Sequence, residues 1–376
     1  MLVLLVCLML YNARHLTMKF WPVTFILVVL AACSALAQTV SETPAAAALR
    51  IRRADAESRA LFQSSDTLPL TLEANFGTIT KDRDPDSTNV YPGVIRLEVP
   101  DKGTIEVPVQ LSVRGSLRRK TCDFVPLRVV FSKDEARGTV FETRAGGLKL
   151  VTHCHNSGDD EQYILKEYLA YRIGNLMPAP SFRARLARIT YVDSNKHKTL
   201  TKRYAIFLED DSDVARRLQG KVADKEFRFA QLHPVALLEM TLFEFMIGNT
   251  DYSIMARHNV RVVELPSGLA YPIAYDFDVS GLVNVPYAIP DPRLHISSLT
   301  DRVYRGPCRS AEQLQVFLKI FLGKKPDVDA LIDSVPDLNG LNRQTAHSFL
   351  NQFFSTISKP SSVKRALIDN CVKGGN

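Results

Sequence analysis

Four side chains with hard oxygen atoms stand within 28 residues of one another: Asp251, Asn259, Asp276 and Asp278, each at the edge of an apolar run. One carboxylate to orient a nucleophile, with an amide and a carboxylate to hold magnesium, is the set of groups that phosphoryl transfer requires. Taken singly, Asp251 reads as a helix-terminus cap and Asn259 as a turn residue opening a strand. Asp276 and Asp278 carry more weight: they alternate with Phe277, so on an extended backbone both carboxylates point the same way. Like charges so placed repel unless a cation, an arginine or a proton intervenes. Magnesium or manganese is the first cation expected there, and Arg257 is its structural rival.

The elements that must position these groups are legible around them. Leu237, Leu238, Met240, Leu242, Phe243, Phe245, Met246 and Ile247 crowd every side of a helix, the pattern of a helix buried within a domain. His233-Pro234 starts it, and Gly248 and Asn249, both tolerant of left-handed backbone, stop it just before Asp251. A β-rich run, Asn259 to Val263, is followed by a Pro-Ser-Gly turn and a second run, Leu269 to Tyr275. A hairpin of these two strands brings Asn259 and Asp276 close together.

Gly248-Asn249-Thr250-Asp251, then Asn259, then Tyr275-Asp276-Phe277-Asp278 resemble the catalytic segment of atypical kinase-like proteins, above all the CotH spore-coat kinase group and more distantly the HipA-like kinases. The step from Asp251 to Asn259 is eight positions, where common protein kinases use about five. The resemblance implies an α+β, two-lobed, protein-kinase-like fold: a β-rich N-lobe with one helix over 66–208 and a mainly helical C-lobe over 209–376 bearing the catalytic loop. It also implies Asp251 as the catalytic residue, with ATP or another nucleotide and Mg or Mn as cofactors. In CotH-like proteins an Arg-Gly turn occupies a place comparable with Arg114-Gly115-Ser116, where Gly115 lets backbone amides approach a phosphate. In a kinase-like order the strand Tyr204 to Leu208 ends in a hinge whose backbone, from Phe207 to Glu209, contacts adenine, although three consecutive acids from Glu209 to Asp211 also suit a solvated, helix-capping loop.

A further pair is expected upstream. Lys149 lies on a short buried strand, Leu148 to Cys154, and Asp159 and Asp160 cap a helix running to about Leu176. On one face of that helix Glu167 sits with Ala170 and Gly174, small enough to approach a neighbouring sheet, so Glu167 reaches Lys149, the lysine–glutamate pair by which kinases place phosphates. The bland alternative puts Lys149 in solvent and Glu167 beside Lys166 on a wet face; Glu161 is the fallback partner.

With 376 residues, 46% hydrophobic and 23% charged, the chain can bury one large or two medium cores. Residues 1–37 read as a signal peptide whose true start is Met18, with a basic start, an apolar core and small residues near a cleavage point. Two endings stay open: a lipobox placing a lipid anchor on Cys33, or ordinary cleavage before Gln38. Without Arg14 and Lys19 the net charge falls from +7 to +5, and no basic run interleaved with aromatics suggests nucleic acid. Residues 38–65 read as a flexible tether. An even cysteine count in an exported chain favours disulfides, and of three possible pairings Cys122 with Cys154 and Cys308 with Cys371 is preferred. Strands are expected at Leu68 to Phe76, Val94 to Val99, Thr104 to Val113, Phe124 to Phe131, Ser181 to Asp193 and Thr199 to Leu208, and four helices after the Pro-rich stretch that ends at Pro307. The expected product is an exported, periplasmic, outer-membrane-anchored or extracellular monomer, acting on an unknown protein, glycan or small-molecule acceptor. Its rivals are a pseudokinase or cell-surface ligand-binding protein, and a metal-dependent phosphoesterase using His258 and His295.

Overall fold

Alternation of apolar and polar residues dominates the first half of the chain, and there it produces strands that close on themselves. The computed structural model describes residues 43–99, 102–132, 134–142 and 147–373, so the signal peptide and Cys33 lie outside the described residues. Strands β1 (Leu68–Ala74), β2 (Tyr91–Val99), β3 (Gly103–Val113), β4 (Leu127–Phe131) and β5 (Leu148–Val151) follow one another as antiparallel neighbours. β5 pairs with β7 (Lys198–Leu208), β7 with β6 (Ala184–Asp193), and β6 returns to β1 in parallel, from Leu68 opposite Ala187 to Ala74 opposite Asp193. The result is a closed seven-stranded barrel.

Period two then separates two environments. On β6 and β7, Ala187, Ile189, Ala205 and Phe207 fill the barrel with Leu72, Ile95 and Leu111. Their neighbours Leu186, Tyr204, Ile206 and Leu208 face outward into a second apolar cluster shared with the helices. Helix α1 (Pro44–Glu57) lies in the stretch read as a tether. Just beyond it Arg59 is buried between Asp55 and Asp213. Helices α2 (Phe76–Ile79) and α3 (Leu117–Thr121) are short insertions between strands. The long α4 (Gly158–Leu176) is capped by Ser157, whose side chain accepts from the Asp160 N–H, rather than by Asp159 or Asp160. At Gly174 it meets helix α6 (Pro234–Ile247), where an added methyl group would lie 3.3 Å from the Phe243 ring. Helix α5 (Asp211–Arg217) is capped by Asp210, two residues earlier than Ser212.

Helix α6 (Pro234–Ile247) is buried along nearly its whole length and ends at Gly248 in the left-handed region, φ 66°. β9 (Val260–Glu264) pairs with β10 (Ala270–Ala274) and with the two-residue β8 (Lys221–Val222) in a separate small sheet. Helices α7 (Ala311–Gly323), α8 (Lys325–Ser334), α9 (Gly340–Ile357) and α10 (Pro360–Val363) finish the chain, the last running into a π-helical turn over Lys364–Ile368. Among the described residues no helix is long and apolar enough to cross a membrane.

These elements correct the expected architecture. The two-lobed, protein-kinase-like fold is not what the chain adopts: its strands form a closed barrel of mixed direction with helices packed around it. Closure depends on the parallel pairing of β1 with β6, more than 100 residues apart, which no local pattern announces. Both expected disulfides form, Cys122 to Cys154 and Cys308 to Cys371. The first ties α3 to the end of β5 across 32 residues. Replacing both its cysteines by serine lowers stability by about 4 kcal/mol through loop-closure entropy alone. The check is urea denaturation of the oxidised protein and the double variant; unchanged midpoints would show that the bridge constrains nothing.

Candidate functional site

Asp251 leaves helix α6 on a loop whose backbone is fixed from both sides. The Asn249 side-chain oxygen accepts from the Asp251 N–H at 3.0 Å, and the Arg305 guanidinium binds the carbonyls of Thr250 and Tyr252, the latter at 2.8 Å. The Asp251 carboxylate meets His258 Nε2 at 3.0 Å and Asn259 Nδ2 at 3.1 Å, while the same Asn259 nitrogen donates to the Asp251 carbonyl at 2.7 Å. Beyond the ladder of β9 and β10, the Tyr275 N–H donates to the Asn259 carbonyl at 3.0 Å. The hairpin therefore delivers Asn259 beside the residue that precedes Asp276, as the spacing predicts.

Asn259 and Asp276 both hold left-handed backbone, at φ 52° and 67°. Such conformations cost non-glycine residues about 1–3 kcal/mol each and persist where the surroundings impose them. Here the strand pairing fixes Asn259, and the Asp276 N–H donates to the hydroxyl of Tyr171 on α4 at 2.9 Å. Tyr171 follows Glu167 by one helical turn, so α4 presents both toward the same place.

Glu167 is 1% exposed, and its Oε1 has no hydrogen-bond partner. Its other oxygen lies 3.7 Å from Arg118 on α3, whose second amino group binds the Thr152 carbonyl. Asp278 is buried too, and its carboxylate accepts from the Tyr287 hydroxyl at 2.8 Å. Burial, reinforced by Asp276, pushes the Asp278 carboxyl up to about 6, against the pull of Arg118 and Tyr287. Burial and then Asp278 push Glu167 well above the usual carboxylate range, opposed by Arg118. The hydrogen bond to Asp251 raises His258 above an ordinary imidazole, against partial burial.

Lys149 does not meet Glu167. Its ammonium pairs with Asp211 at the start of α5 and lies 5.1 Å from the rings of both Phe182 and Tyr275. Asp211 in turn accepts from Arg261 Nε at 2.8 Å, and burial lowers the Lys149 pKa in spite of Asp211. The fallback Glu161 is also engaged, by Arg188 and the Tyr204 N–H. Glu209 is sequestered: its carboxylate accepts from Arg183 at 2.7 Å and Arg217 at 2.8 Å, and its N–H already donates to the Arg183 carbonyl. Gly115 turns at φ 82° in open space, and the neighbouring Arg114 adds positive potential at Glu167 and Tyr171. His295 ends the turn Pro292–Leu294 in left-handed backbone, φ 51°.

Asp276, Asp278 and Glu167 are hard oxygen donors of the kind magnesium or manganese takes, and the orphaned Glu167 oxygen fits such a role. They are not gathered as a closed triad. Among the described residues the His, Cys, Asp and Glu groups whose donor atoms lie within 4.8 Å of one another are Cys154, His155 and Asp160, and there the sulfur is tied up in a disulfide. Magnesium commonly takes one or two carboxylates and completes its shell with water and substrate phosphate, so a closed triad is not required. Tyr171 and Tyr287 escape the sequence reading, as do the pairing of Arg118 with Glu167 and that of Asp211 with Lys149. Only Tyr171 leaves a signal there, through its helical spacing from Glu167.

No protein-family model matches the chain, the spore-coat kinase group included, and no curated protein matches it. Among solved structures, a Helicobacter pylori proinflammatory kinase CtkA is similar at 11% identity, over 73% of this chain and 92% of that one. Its TM-score is 0.32, too low to carry an argument about fold or reaction.

The raised Asp278 pKa has a measurable sign. A carboxyl whose pKa is higher folded than unfolded favours the folded state below its unfolded value, and that contribution is lost as the pH rises through about 6. Asp278→Asn is therefore expected to be more stable than wild type by about 1–3 kcal/mol at pH near 8 in chelator, the gap closing by pH near 4. Denaturant midpoints across that range check it; equal stability at the alkaline end would contradict the buried-charge account.

Proposed function

We propose that the chain is a kinase-like phosphotransferase, moving a phosphoryl group from a nucleotide such as ATP to a protein, glycan or small-molecule acceptor with help from magnesium or manganese. The observation that supports this reading is the backbone bond from the Tyr275 N–H to the Asn259 carbonyl, which ties the residue before Asp276 to the one whose amide holds the Asp251 carboxylate. In this reading Asp251 orients the acceptor hydroxyl, with His258 and Asn259 fixing its carboxylate. Asn259, Asp276 and Asp278 hold the metal, with Glu167 as a reserve donor. A bound divalent ion would offset phosphate charge and relieve the repulsion that raises Asp278. Arg118 and Arg114 add positive charge toward the same acids, and Lys149 reaches a phosphate only by leaving Asp211.

That closed Lys149–Asp211–Arg261 network favours a second reading, a protein that binds a ligand without transferring anything. Two disulfides fit an oxidising compartment, and the proposed location is exported accordingly.

The test is to incubate the oxidised protein with γ-labelled ATP and either metal, comparing wild type with Asp276→Ala. Transfer of label to the protein or an added acceptor, falling about 100-fold or more in the variant, supports phosphotransfer. Nucleotide binding with no transfer supports the second reading. Phosphate released from phosphoesters in the absence of nucleotide supports a hydrolase, and failure to bind ATP with either metal sinks the nucleotide proposal.

A further inference from the structure

We propose that the barrel mouth at the C-terminal ends of β1 and β6 is a binding site for a neutral saccharide. None of Asp251, Asn259 or Asp276 lines it, and the proposal does not rest on the phosphotransfer reading. A hollow of about 500 Å³, open to solvent, lies over this mouth. Its floor is aromatic. Phe124 stacks on His153 with centroids 4.5 Å apart, and Tyr191 and Phe76 pack against Phe124 at 4.6 and 5.2 Å. His153 is 1% exposed yet lines the hollow, and its Nδ1 has no hydrogen-bond partner. The Tyr191 hydroxyl in the same aromatic cluster has none either. A buried polar atom left unpaired costs about 1–3 kcal/mol, and the His153 nitrogen, in that state on the lining of an open hollow, calls for a polar partner from outside.

The walls say what that partner is. Asn75, Thr78, Asn156, Asn195 and Thr201 supply amides and hydroxyls. The charges cancel: Lys81 and Lys196 against Asp123 and Asp193. Both acids are already occupied. Asp193 accepts from the backbone N–H groups of Gly77, Asn195 and Lys196 at 3.2, 3.1 and 3.0 Å, and Asp123 pairs with His155 at 2.9 Å. Burial, with help from Arg203 and Arg118, holds the His153 imidazole down to about 3, so it is uncharged in ordinary buffers and can pair with a hydroxyl. An anionic ligand finds no surplus of positive charge there. The Thr201 hydroxyl donates to Asn156 at 2.7 Å and the Thr78 N–H to Asn75 at 3.1 Å, but a hydrocarbon would still leave the imidazole unpaired and strip water from these polar walls. A molecule with several hydroxyl groups and an apolar C–H face for an aromatic floor satisfies both, and barrel mouths are a usual place for such sites.

The experiment is isothermal titration of the full, oxidised protein with maltotetraose, cellotetraose and chitotetraose at millimolar concentration, with inorganic phosphate as competitor. At least one tetrasaccharide is expected to bind, undisturbed by phosphate, and Asn156→Ala combined with Thr201→Val is expected to weaken it about tenfold or more. Asn195→Ala, in the exposed turn after β6, repeats the test should the double variant fold poorly. Overturning results are binding by none of the three, displacement by phosphate, or variants that bind as tightly as wild type.

Discussion

Too many buried acids for the available cations is the constraint on which this structure turns. Glu167 and Asp278 are almost wholly removed from water, Asp276 adds its field to both, and Arg118 is the cation in contact with Glu167. Taking a carboxylate out of water costs several kcal/mol unless charge or hydrogen bonds replace the solvent, and one guanidinium at 3.7 Å is a partial replacement. The fold answers by fixing Arg118 from behind. Its second amino group binds the Thr152 carbonyl, and the Cys122–Cys154 bridge clamps α3 to that same segment. An arginine held so firmly cannot follow a carboxylate that moves, so the remaining imbalance has to be met by a proton or by something bound.

Backbone strain occurs beside these acids as well. Arg257, Asn259 and Asp276 all hold left-handed conformations although none is glycine. A loop free to relax would escape such angles at a gain of about 1–3 kcal/mol per residue. This one is not free. Arg257 and Asn259 lead into β9 and Asp276 leaves its paired strand β10, the Asp276 amide is anchored to Tyr171, and Asp251 is pinned by Asn249, His258 and Asn259. Strain and unbalanced charge at one set of residues, both sustained by packing elsewhere, are what a pre-organised site looks like energetically.

Legibility in the sequence followed the range of the interaction. The buried helix, its glycine stop, the hairpin that joins Asn259 to Tyr275 and the cysteine pairs were all readable, because each depends on local periodicity, local turn chemistry or simple pairing. Barrel closure was not, since β1 and β6 look the same whether or not they meet. The partner of Lys149 was missed for a related reason. Glu209-Asp210-Asp211 reads as a solvated acidic loop, yet the three acids act separately. Glu209 receives Arg183 and Arg217, Asp210 caps α5, and Asp211 joins Lys149 to Arg261. Those basic partners come from β5, β9, helix α5 and the residue just before β6, so only the folded chain assembles them.

One short segment serves both regions of interest. Thr152 holds Arg118 through its carbonyl, His153 forms part of the aromatic floor at the barrel mouth, and Cys154 carries the disulfide back to α3. These are consecutive residues leaving β5, and along a chain that continues the line of a strand successive groups face opposite ways. Arg118 accordingly contributes to the potential at His153 and Tyr191 on one side and at Glu167 and Asp278 on the other. The disulfide and the strand hold this segment at both ends, so the His153 ring and the Thr152 carbonyl that fixes Arg118 are positioned by the same two restraints.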